Sequence, residues 1–204
     1  MNIPWTIAIL GACVPALGWL VTHTLANSTE DRRQRLIFQM ELTKQQLEEL
    51  YGPLAFLVLE GQQSVRDMFA VLGWTRVFEH GSILSEKELS TWLFYAENDF
   101  FPRNQKIIER LSSKTHLIEG EGVPESFLTF IDHYNSWHIN HLRWQKQGIE
   151  YGWRSKIPWP PGFDEDVLST FRVLKKRHAT LIEMISEASH LRPFFQRQRY
   201  QKVF

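Results

Sequence analysis

The sequence predicts an all-α protein, with one N-terminal transmembrane helix followed by an antiparallel helical bundle. Residues 3–26 contain no charged side chain, and a helix of that length spans the roughly 30 Å hydrocarbon core of a bilayer. Downstream, apolar residues recur every three or four positions, as in amphipathic helices, and no strand-like alternation is present. We therefore divide the chain into a transmembrane anchor (1–27), a cytoplasmic helical-bundle domain (28–190) and a basic aromatic tail (191–204).

The uncharged segment is interpreted as a retained anchor. A buried core helix is rarely apolar over this length. A cleaved signal peptide is the stronger alternative, because Thr24-Leu25-Ala26 resembles a cleavage site. However, signal peptides begin with basic residues, and Met1–Pro4 contains none.

Basic residues on one side of the segment predict its orientation. Arg32, Arg33 and Arg35 follow it, and positively charged flanks stay in the cytoplasm. We therefore expect a single-pass protein of the inner (plasma) membrane, with its N-terminus outside and the bulk of the chain cytoplasmic. Trp5 and Trp19 suit the two membrane interfaces, so the lipid bilayer is the first expected partner.

Composition excludes several other classes of partner. Lys plus Arg and Asp plus Glu number 23 each, so the formal net charge is zero and no nucleic acid partner is expected. Cys13, the only cysteine, lies inside the predicted span. The remaining chain therefore has neither disulfides nor cysteine-ligated zinc, which fits a reducing compartment, and no cofactor is expected.

The first helix after the anchor carries a heptad pattern, whose apolar positions alternate four and three residues apart. Such a seam either pairs two chains or packs inside a monomeric bundle, and the bundle is favoured because only three heptads are present. Gly52-Pro53 predicts a kink or a restart of the helix within the seam. A homo-oligomer would use Leu36, Met40, Leu47, Leu50 and Leu54.

Proline, glycine and N-cap residues mark the ends of the remaining helices. Ser followed three residues later by Glu is a capping box, and proline is accepted in the first turn of a helix but not in its interior. One long irregular stretch is predicted at 148–162. The predicted boundaries are a helix end at Glu79-His80-Gly81, a capping box at Ser85, a break at Phe101-Pro102, a start at Pro124, an end at Gly148 and an N-cap at Asp164.

Four blocks of the sequence resemble an uncharacterised bacterial family. They are Leu50–Leu54, the run from Phe101-Pro102-Arg103-Asn104 to Ile108, His116–Gly120 and Pro124–Phe127. Members of that family have one N-terminal span followed by a helical cytoplasmic domain. The resemblance implies this architecture for most of the chain and implies no activity.

The densest polar cluster is the segment from Asp132 to His141. His138 and His141 are three residues apart on one helical face, where two imidazoles can hold a divalent metal ion. His133 is rotated away from His141 and is a poor third ligand. The alternative is that His141 is an ordinary, partly buried histidine among aromatic residues.

His141 and His178 each interrupt the apolar stripe of a long predicted helix. If those helices pack antiparallel, the two rings approach each other as a structural network, a pH-sensitive pair or an acid/base site. Arg172 precedes His178 with the Arg-x5-His spacing, which resembles that of helical-bundle ribonucleases of the HEPN class. Val173 departs from that pattern, and a solvated basic face beside a core histidine is the alternative.

The tail contains four basic residues, four aromatic residues and no acidic residue. Such a segment suits an anionic lipid surface, a disordered end or a helix docked on the bundle. The basic residues are Arg192, Arg197, Arg199 and Lys202, and the aromatic residues are Phe194, Phe195, Tyr200 and Phe204.

The function that the sequence favours is a membrane-tethered cytoplasmic helical interaction or regulatory module that associates with itself or with an unknown protein partner. The alternative is a membrane-anchored hydrolase or nuclease with His141 and His178 as its acid/base pair and Arg172 as a phosphate ligand. Serine, cysteine and carboxylate residues are not spaced as a nucleophile or general-acid set, which favours the interaction module.

Overall fold

A computed structural model describes residues 30–74, 84–150 and 155–190, together with the single positions His23 and Ser28. Within these residues, no helix has the length and hydropathy that crossing a membrane requires. Apart from His23, the predicted anchor, with Trp5 and Trp19, lies outside the described residues, and so does the tail from residue 191 onward.

All regular elements in the described ranges are helical. This confirms the predicted all-α bundle. Helix α1 covers 30–45 and passes through the π-helical turn Gln46–Tyr51 into α2 (Gly52–Leu72). In the same way, α3 (Glu86–Tyr95) passes through the π-helical turn Ala96–Phe100 into α4 (Phe101–Ser113). The remaining elements are a 3-10 turn (Thr115–Leu117), α5 (Glu125–Gln147) and α6 (Pro161–His190).

The chain divides into two compact units. The larger unit covers Lys44–Lys176 and contains α2 to α5 with the first half of α6. The smaller unit combines the residues up to Thr43 with those from Arg177 onward. The polar clusters described below all lie in the larger unit.

Side-chain contacts show that α5 and α6 are antiparallel within the larger unit. The Ser126 hydroxyl donates to Asp166 Oδ2 at 2.6 Å. One turn further along α5, the ring of Phe130 stacks on Phe163, with 4.4 Å between the ring centroids. Residue numbers therefore increase along α5 in the direction in which they decrease along α6, so the two helices are antiparallel.

Helices α4 and α5 are antiparallel in the same way. The ring centroids of Phe101 and His141 lie 4.8 Å apart. One turn further along α4, Gln105 accepts a hydrogen bond from the Tyr134 hydroxyl. Helix α5 therefore packs antiparallel to two neighbours, as the bundle prediction required.

Two clusters of buried side chains form the core of the larger unit. The first is largely aliphatic, with phenylalanines from α5 and α6, and joins α2, α4, α5 and α6. The second is largely aromatic and joins α2, α3, α4 and α5. Its members are Met68, Trp92, Ala96, Phe100, Phe101, Tyr134 and Trp137.

Each π-helical turn ends two residues before a proline. The N–H group of Gly52 donates to Leu47 O, and the N–H group of Phe101 donates to Ala96 O, so each bond spans five residues instead of four. Proline lacks an N–H group, and its ring would clash with the carbonyl one α-turn earlier, so a widened turn accommodates it. Pro53 and Pro102 thus stand in the first turns of α2 and α4.

The predicted restart at Gly52-Pro53 is therefore confirmed. At Phe101-Pro102 the predicted start of another helix, with Pro102 in its first turn, is likewise confirmed. The break predicted before it is wrong, because the chain stays helical from Glu86 to Ser113 and only widens there. A π-helical turn satisfies the backbone groups that a break would leave without partners.

Two predicted helix ends also need correction. Helix α2 ends at Leu72, before the predicted Glu79-His80-Gly81, because Gly73 adopts the left-handed conformation with φ 67° and caps the helix. Residues 75–83 lie outside the described part. Helix α6 begins at Pro161, so Asp164 lies in its first turn rather than at its N-cap.

Three other boundaries are confirmed. Ser85 and Glu88 form the predicted capping box, and hydrogen bonds from Ser85 and from the Trp74 indole lower the pKa of Glu88 to about 2. Helix α5 follows Pro124 and ends at Gly148, which has φ 67°.

The second half of the heptad seam faces the interior of this chain. Leu50 and Leu54 are 0% exposed within the aliphatic cluster, and Leu47 packs against it. The assignment of Leu50 and Leu54 to an interface between copies is thus corrected, because both side chains are already buried by their own chain. Association through Leu36, Met40 and Leu47, which are half-buried, stays a prediction.

Candidate functional site

The π-helical turn Ala96–Phe100 positions the polar groups of the candidate site. Ala96 and Phe100 are buried in the aromatic cluster, whereas Glu97 and Asp99 bind partners on different neighbouring helices. Turns of this kind are frequent at functional sites, because the additional residue changes the direction of the side chains. The turn therefore connects two polar clusters across the aromatic core.

Glu97 binds two side chains of α5. Its Oε1 atom accepts a hydrogen bond from His141 Nε2 at 3.1 Å and another from Gln145 Nε2 at 2.9 Å. The carboxylate accepts, so Nε2 of His141 carries a proton in this arrangement. Glu97 was not singled out in the sequence, because its partner His141 is 44 residues away along the chain.

The imidazole of His141 is enclosed by aromatic rings and is 3% exposed. Its ring centroid lies 4.8 Å from that of Phe101 and 5.4 Å from that of Trp144. This environment matches the sequence alternative of a buried histidine among aromatic residues. A ring so enclosed orients Glu97 and does not itself reach solvent.

His138 lies on the same face of α5 and is half-buried. It stacks on Tyr134 with 5.1 Å between the ring centroids. Burial, and then the charge of His141, lower the pKa of His138, so its neutral form is favoured. Within the described ranges, no three His, Cys, Asp or Glu side chains form a group that could hold a metal ion. The metal site proposed at His138 and His141 thus gains no third ligand there.

The second polar cluster surrounds Arg103, a charged residue that is 6% exposed. Its guanidinium group donates to Asp99, which also accepts from the Ser64 hydroxyl. Arg103 Nε lies 3.6 Å from the Glu60 carboxylate. Two acidic groups thus compensate the buried positive charge, as burial requires.

Gly61 provides the space for this arginine. A Cβ atom at Gly61 would lie 3.0 Å from Arg103 Nη1 and 3.4 Å from its Cδ atom. Sequence reasoning missed this cluster, because Glu60 and Gly61 are distant from Arg103 along the chain. The buried Arg103 itself lies in one of the blocks that carry the family resemblance.

His133 attaches the segment before α6 to α5. Its Nδ1–H group donates to Ile157 O at 2.6 Å, and the Ser155 hydroxyl donates to His133 O at 3.0 Å. The ring meets Trp159 edge to face at 5.5 Å. Burial lowers the pKa of His133 despite hydrogen bonds to the carbonyls of Ile157 and Pro158, so the neutral ring is favoured.

The remaining predicted site residues occupy different positions. Arg172 is exposed in the larger unit, and His178 is half-buried in the smaller unit. The acid/base pairing of His141 with His178 stays a prediction. Of the three arginines predicted to flank a membrane span, Arg32 and Arg35 are exposed, and Arg33 Nη1 lies 3.4 Å from Glu30.

A groove of about 420 Å³ follows the outer face of α3, on the same turn that carries Glu97. Leu89 and Leu93 are half-buried along it, and Phe94 is 64% exposed. Glu86 stands at one end and Glu97 at the other. The accessible part of the candidate site is therefore an apolar groove between two carboxylates.

The arrangement suits recognition better than acid/base catalysis. A general acid or base must reach the proton that it transfers, whereas the His141 ring is enclosed and Arg103 is paired inside the core.

Comparison of the sequence with protein-family models, curated proteins and solved structures finds no match.

Proposed function

We propose that the protein is a membrane-tethered helical interaction module that associates with a second copy of itself. The observation that carries this proposal is the contrast between the two sides of the turn at 96–100. The polar groups directed inward are bound by their own chain, and the apolar groove on the outer face of α3 is accessible. Phe94 is 64% exposed on that face, and aromatic side chains are enriched at protein interfaces.

The tether is proposed from the sequence. Residues 3–26 contain no charged side chain, and the resemblance to single-span bacterial proteins supports the same architecture. The exposed Arg32 and Arg35 suit the cytoplasmic side. We accordingly propose an outward N-terminus and a cytoplasmic bundle at the inner membrane. Two copies confined to one membrane encounter each other at a raised effective concentration.

The alternative of a membrane-anchored hydrolase or nuclease is less well supported. It needs His141 and His178 to act together on a substrate, with Arg172 binding phosphate. The His141 ring is enclosed by Phe101, Trp144 and the hydrogen bond to Glu97. Its burial therefore favours a structural role for this imidazole.

Two copies of the full chain with different affinity tags test the proposal. After co-expression, both should remain in the membrane pellet through an alkaline carbonate wash, and one tag should co-purify the other in mild detergent. Mixing separately prepared membranes before solubilisation controls for association formed in the detergent. Release by carbonate would contradict the tether, and recovery of one tag alone would contradict self-association.

A further inference from the structure

We infer that two copies associate through a reciprocal contact, in which the α3 groove of each copy holds the outer face of α5 from the other. This contact rests on the proposed function, since it names the surfaces through which the second copy binds. The outer face of α5 is defined by Ile139, Leu142, Arg143 and Lys146. The groove and this face both lie in the larger unit.

The outer face of α5 is apolar and basic. Ile139 is 55% exposed and Leu142 is half-buried, whereas Arg143 and Lys146 are exposed. Residues three and four positions apart share one side of a helix, so these four side chains are neighbours. The segment 136–149 contains the two cations and no acidic residue. The face therefore presents an apolar centre beside two positive charges.

The α3 groove has the opposite charge. Glu86 and Glu97 are exposed at its two ends, with Leu93 and Phe94 between them. The segment 86–98 has three acidic residues and one basic residue, Lys87. The two end carboxylates are eleven residues apart, or roughly 16 Å at about 1.5 Å per residue, whereas 139–146 spans roughly 10 Å. The α5 face thus fits the length of the groove, and its cations suit the carboxylates.

The exposure and charge of the two surfaces identify the occupant as a second chain. Phe94 is 64% exposed and Ile139 is 55% exposed, so the groove and the α5 face do not cover each other within one copy. Two grooves facing each other would oppose carboxylates, and two α5 faces would oppose cations, which is unfavourable across an interface. Of the contacts that these surfaces can form between copies, only groove against face pairs opposite charges.

The two surfaces adjoin at one end of the larger unit. Glu97, at the end of the groove, accepts a hydrogen bond from Gln145, which lies between Arg143 and Lys146 in the sequence. A two-fold rotation brings each surface against its counterpart, so the contact forms twice and closes with two copies. A two-fold axis along the membrane normal keeps equivalent residues at equal heights. Because the two surfaces adjoin, copies anchored in one membrane reach each other in this way.

Cysteine crosslinking between two differently tagged full-length copies tests the inference. Both copies carry Cys13→Ser, which removes the native thiol. One copy carries Ser90→Cys in the groove, and the other carries Asn135→Cys, one turn before Ile139. Membranes are treated with a flexible bis-maleimide that spans about two helical turns, roughly 11 Å. We expect a crosslink between the two tags. Its absence from copies that co-purify, or crosslinks between like-tagged copies alone, would overturn the inference.

Matched substitutions test the apolar centre of the contact. Phe94→Ser in the groove copy should lower the crosslink yield about three- to fivefold, because aromatic side chains anchor interfaces. Phe56→Ser is the control, since Phe56 on α2 is 68% exposed, and it should leave the yield unchanged. Moving the thiol from position 90 to the exposed Ser112, at the end of α4, should abolish the crosslink. Equal yields from positions 90 and 112 would contradict a specific groove.

Charge reversal tests the complementarity. Arg143→Glu with Lys146→Glu in the α5 copy should lower the yield about three- to fivefold, and adding Glu86→Lys to the groove copy should restore it. The control is Arg172→Glu with Lys176→Glu, which reverses two exposed cations on α6 and should change the yield little. An equal loss in this control, or no recovery with Glu86→Lys, would contradict charge pairing between the groove and the α5 face.

Two readouts separate this contact from the proposed function. Co-purification of the tagged copies without a crosslink between positions 90 and 135 would retain self-association and reject the reciprocal contact. Release of crosslinked copies by the alkaline carbonate wash would retain the contact and reject the membrane tether. Recovery of one tag alone, with no crosslink, would reject both self-association and the contact.

Discussion

Arg103 and Gly61 show how one buried charge constrains a distant position of the chain. An unpaired charge in the interior is very costly, and here Asp99 and Glu60 compensate it. These contacts hold the guanidinium group directly over Gly61, where a Cβ atom would lie only 3.0 Å from Arg103 Nη1. The constraint on position 61 therefore comes from packing and not from backbone conformation.

We predict that Gly61→Ala destabilises the protein. Alanine in a helix is favoured over glycine by about 0.5–1 kcal/mol, but overpacking against a fixed neighbour costs about 1–3 kcal/mol. We expect a net loss of about 1 kcal/mol in the free energy of unfolding, measured by denaturant titration of the full chain in mild detergent.

The control for this prediction is the same substitution in an Arg103→Met background. There the crowded Nη1 atom is absent, so Gly61→Ala should now be stabilising by about 0.5–1 kcal/mol. A double-mutant cycle gives the interaction energy of the pair. Stabilisation in both backgrounds would show that Arg103 moves freely and does not restrict position 61.

The two histidines with lowered pKa predict acid sensitivity. Burial lowers the folded-state pKa of His133 and His138 below the reference value of 6.5. The unfolded chain therefore binds protons first as the pH falls below about 6.5, which destabilises the folded state. The stabilising contribution is complete above that pH and declines as the pH falls towards the folded-state pKa values. The melting temperature should accordingly be lower at pH 5.5 than at pH 7.5.

His133→Gln separates this effect from general acid denaturation. Glutamine retains a donor for Ile157 O and cannot be protonated in this range, so the difference in melting temperature between the two pH values should become smaller. An unchanged difference in both His133→Gln and His138→Gln would be inconsistent with the prediction.

At the scale of elements, the two π-helical turns set the register of the helices that follow them. A Cβ atom at Gly52 would lie 2.5 Å from Leu47 O, the carbonyl that accepts its own N–H group. The obstacle is backbone, so it cannot rotate away as a side chain can. Glycine at this position therefore permits the turn before Pro53.

We predict that Gly52→Ala is more destabilising than Gly61→Ala, by at least about 1 kcal/mol in the free energy of unfolding. Gly122→Ala is the matched control, because no other atom lies within 4 Å of its Cβ position, and it should change stability by less than about 0.5 kcal/mol. Equal stabilities for the Gly52 and Gly122 variants would mean that the π-helical turn rearranges at little cost.

Sequence patterns located the elements better than their ends. The capping box at Ser85 and the turn at Gly148 were correctly predicted because the residues that form them are close in sequence. The end of α2 was misplaced because residue type alone does not show which glycine caps a helix, and the left-handed conformation of Gly73 is visible only in the structure. The π-helical turns were not predicted, since one additional residue scarcely alters a 3.6-residue period over this length.

At the scale of the whole molecule, the sequence located one side of the candidate site. It identified His141 from its position in an apolar stripe, but not Glu97 or Arg103. The contacts of these two residues depend on which helices pack beside them. They also depend on how the π-helical turn before Pro102 rotates the side chains of α4 relative to α3. Likewise, the period of the heptad seam was visible, but the burial of Leu50 and Leu54 by their own chain depends on the packing of α4 and α6.

The orientation of the whole chain gives the last prediction. The positive-inside rule depends on Lys and Arg within roughly 15–20 residues of a span, and Arg32, Arg33 and Arg35 lie in this range. A reporter that is active only in the cytoplasm should therefore be active when fused after Phe204. Replacing the three arginines with serine should reduce this activity and increase that of a periplasm-only reporter.

Replacing Arg172, Lys175 and Lys176 with serine is the matched control for this prediction. All three are exposed, and they lie too far along the chain to influence insertion, so both reporters should keep their wild-type activities. This comparison separates the position of the charges from their number, because each variant loses three positive charges. A wild-type chain that activates the periplasm-only reporter would reverse the proposed topology and would place the α3 groove outside the cytoplasm.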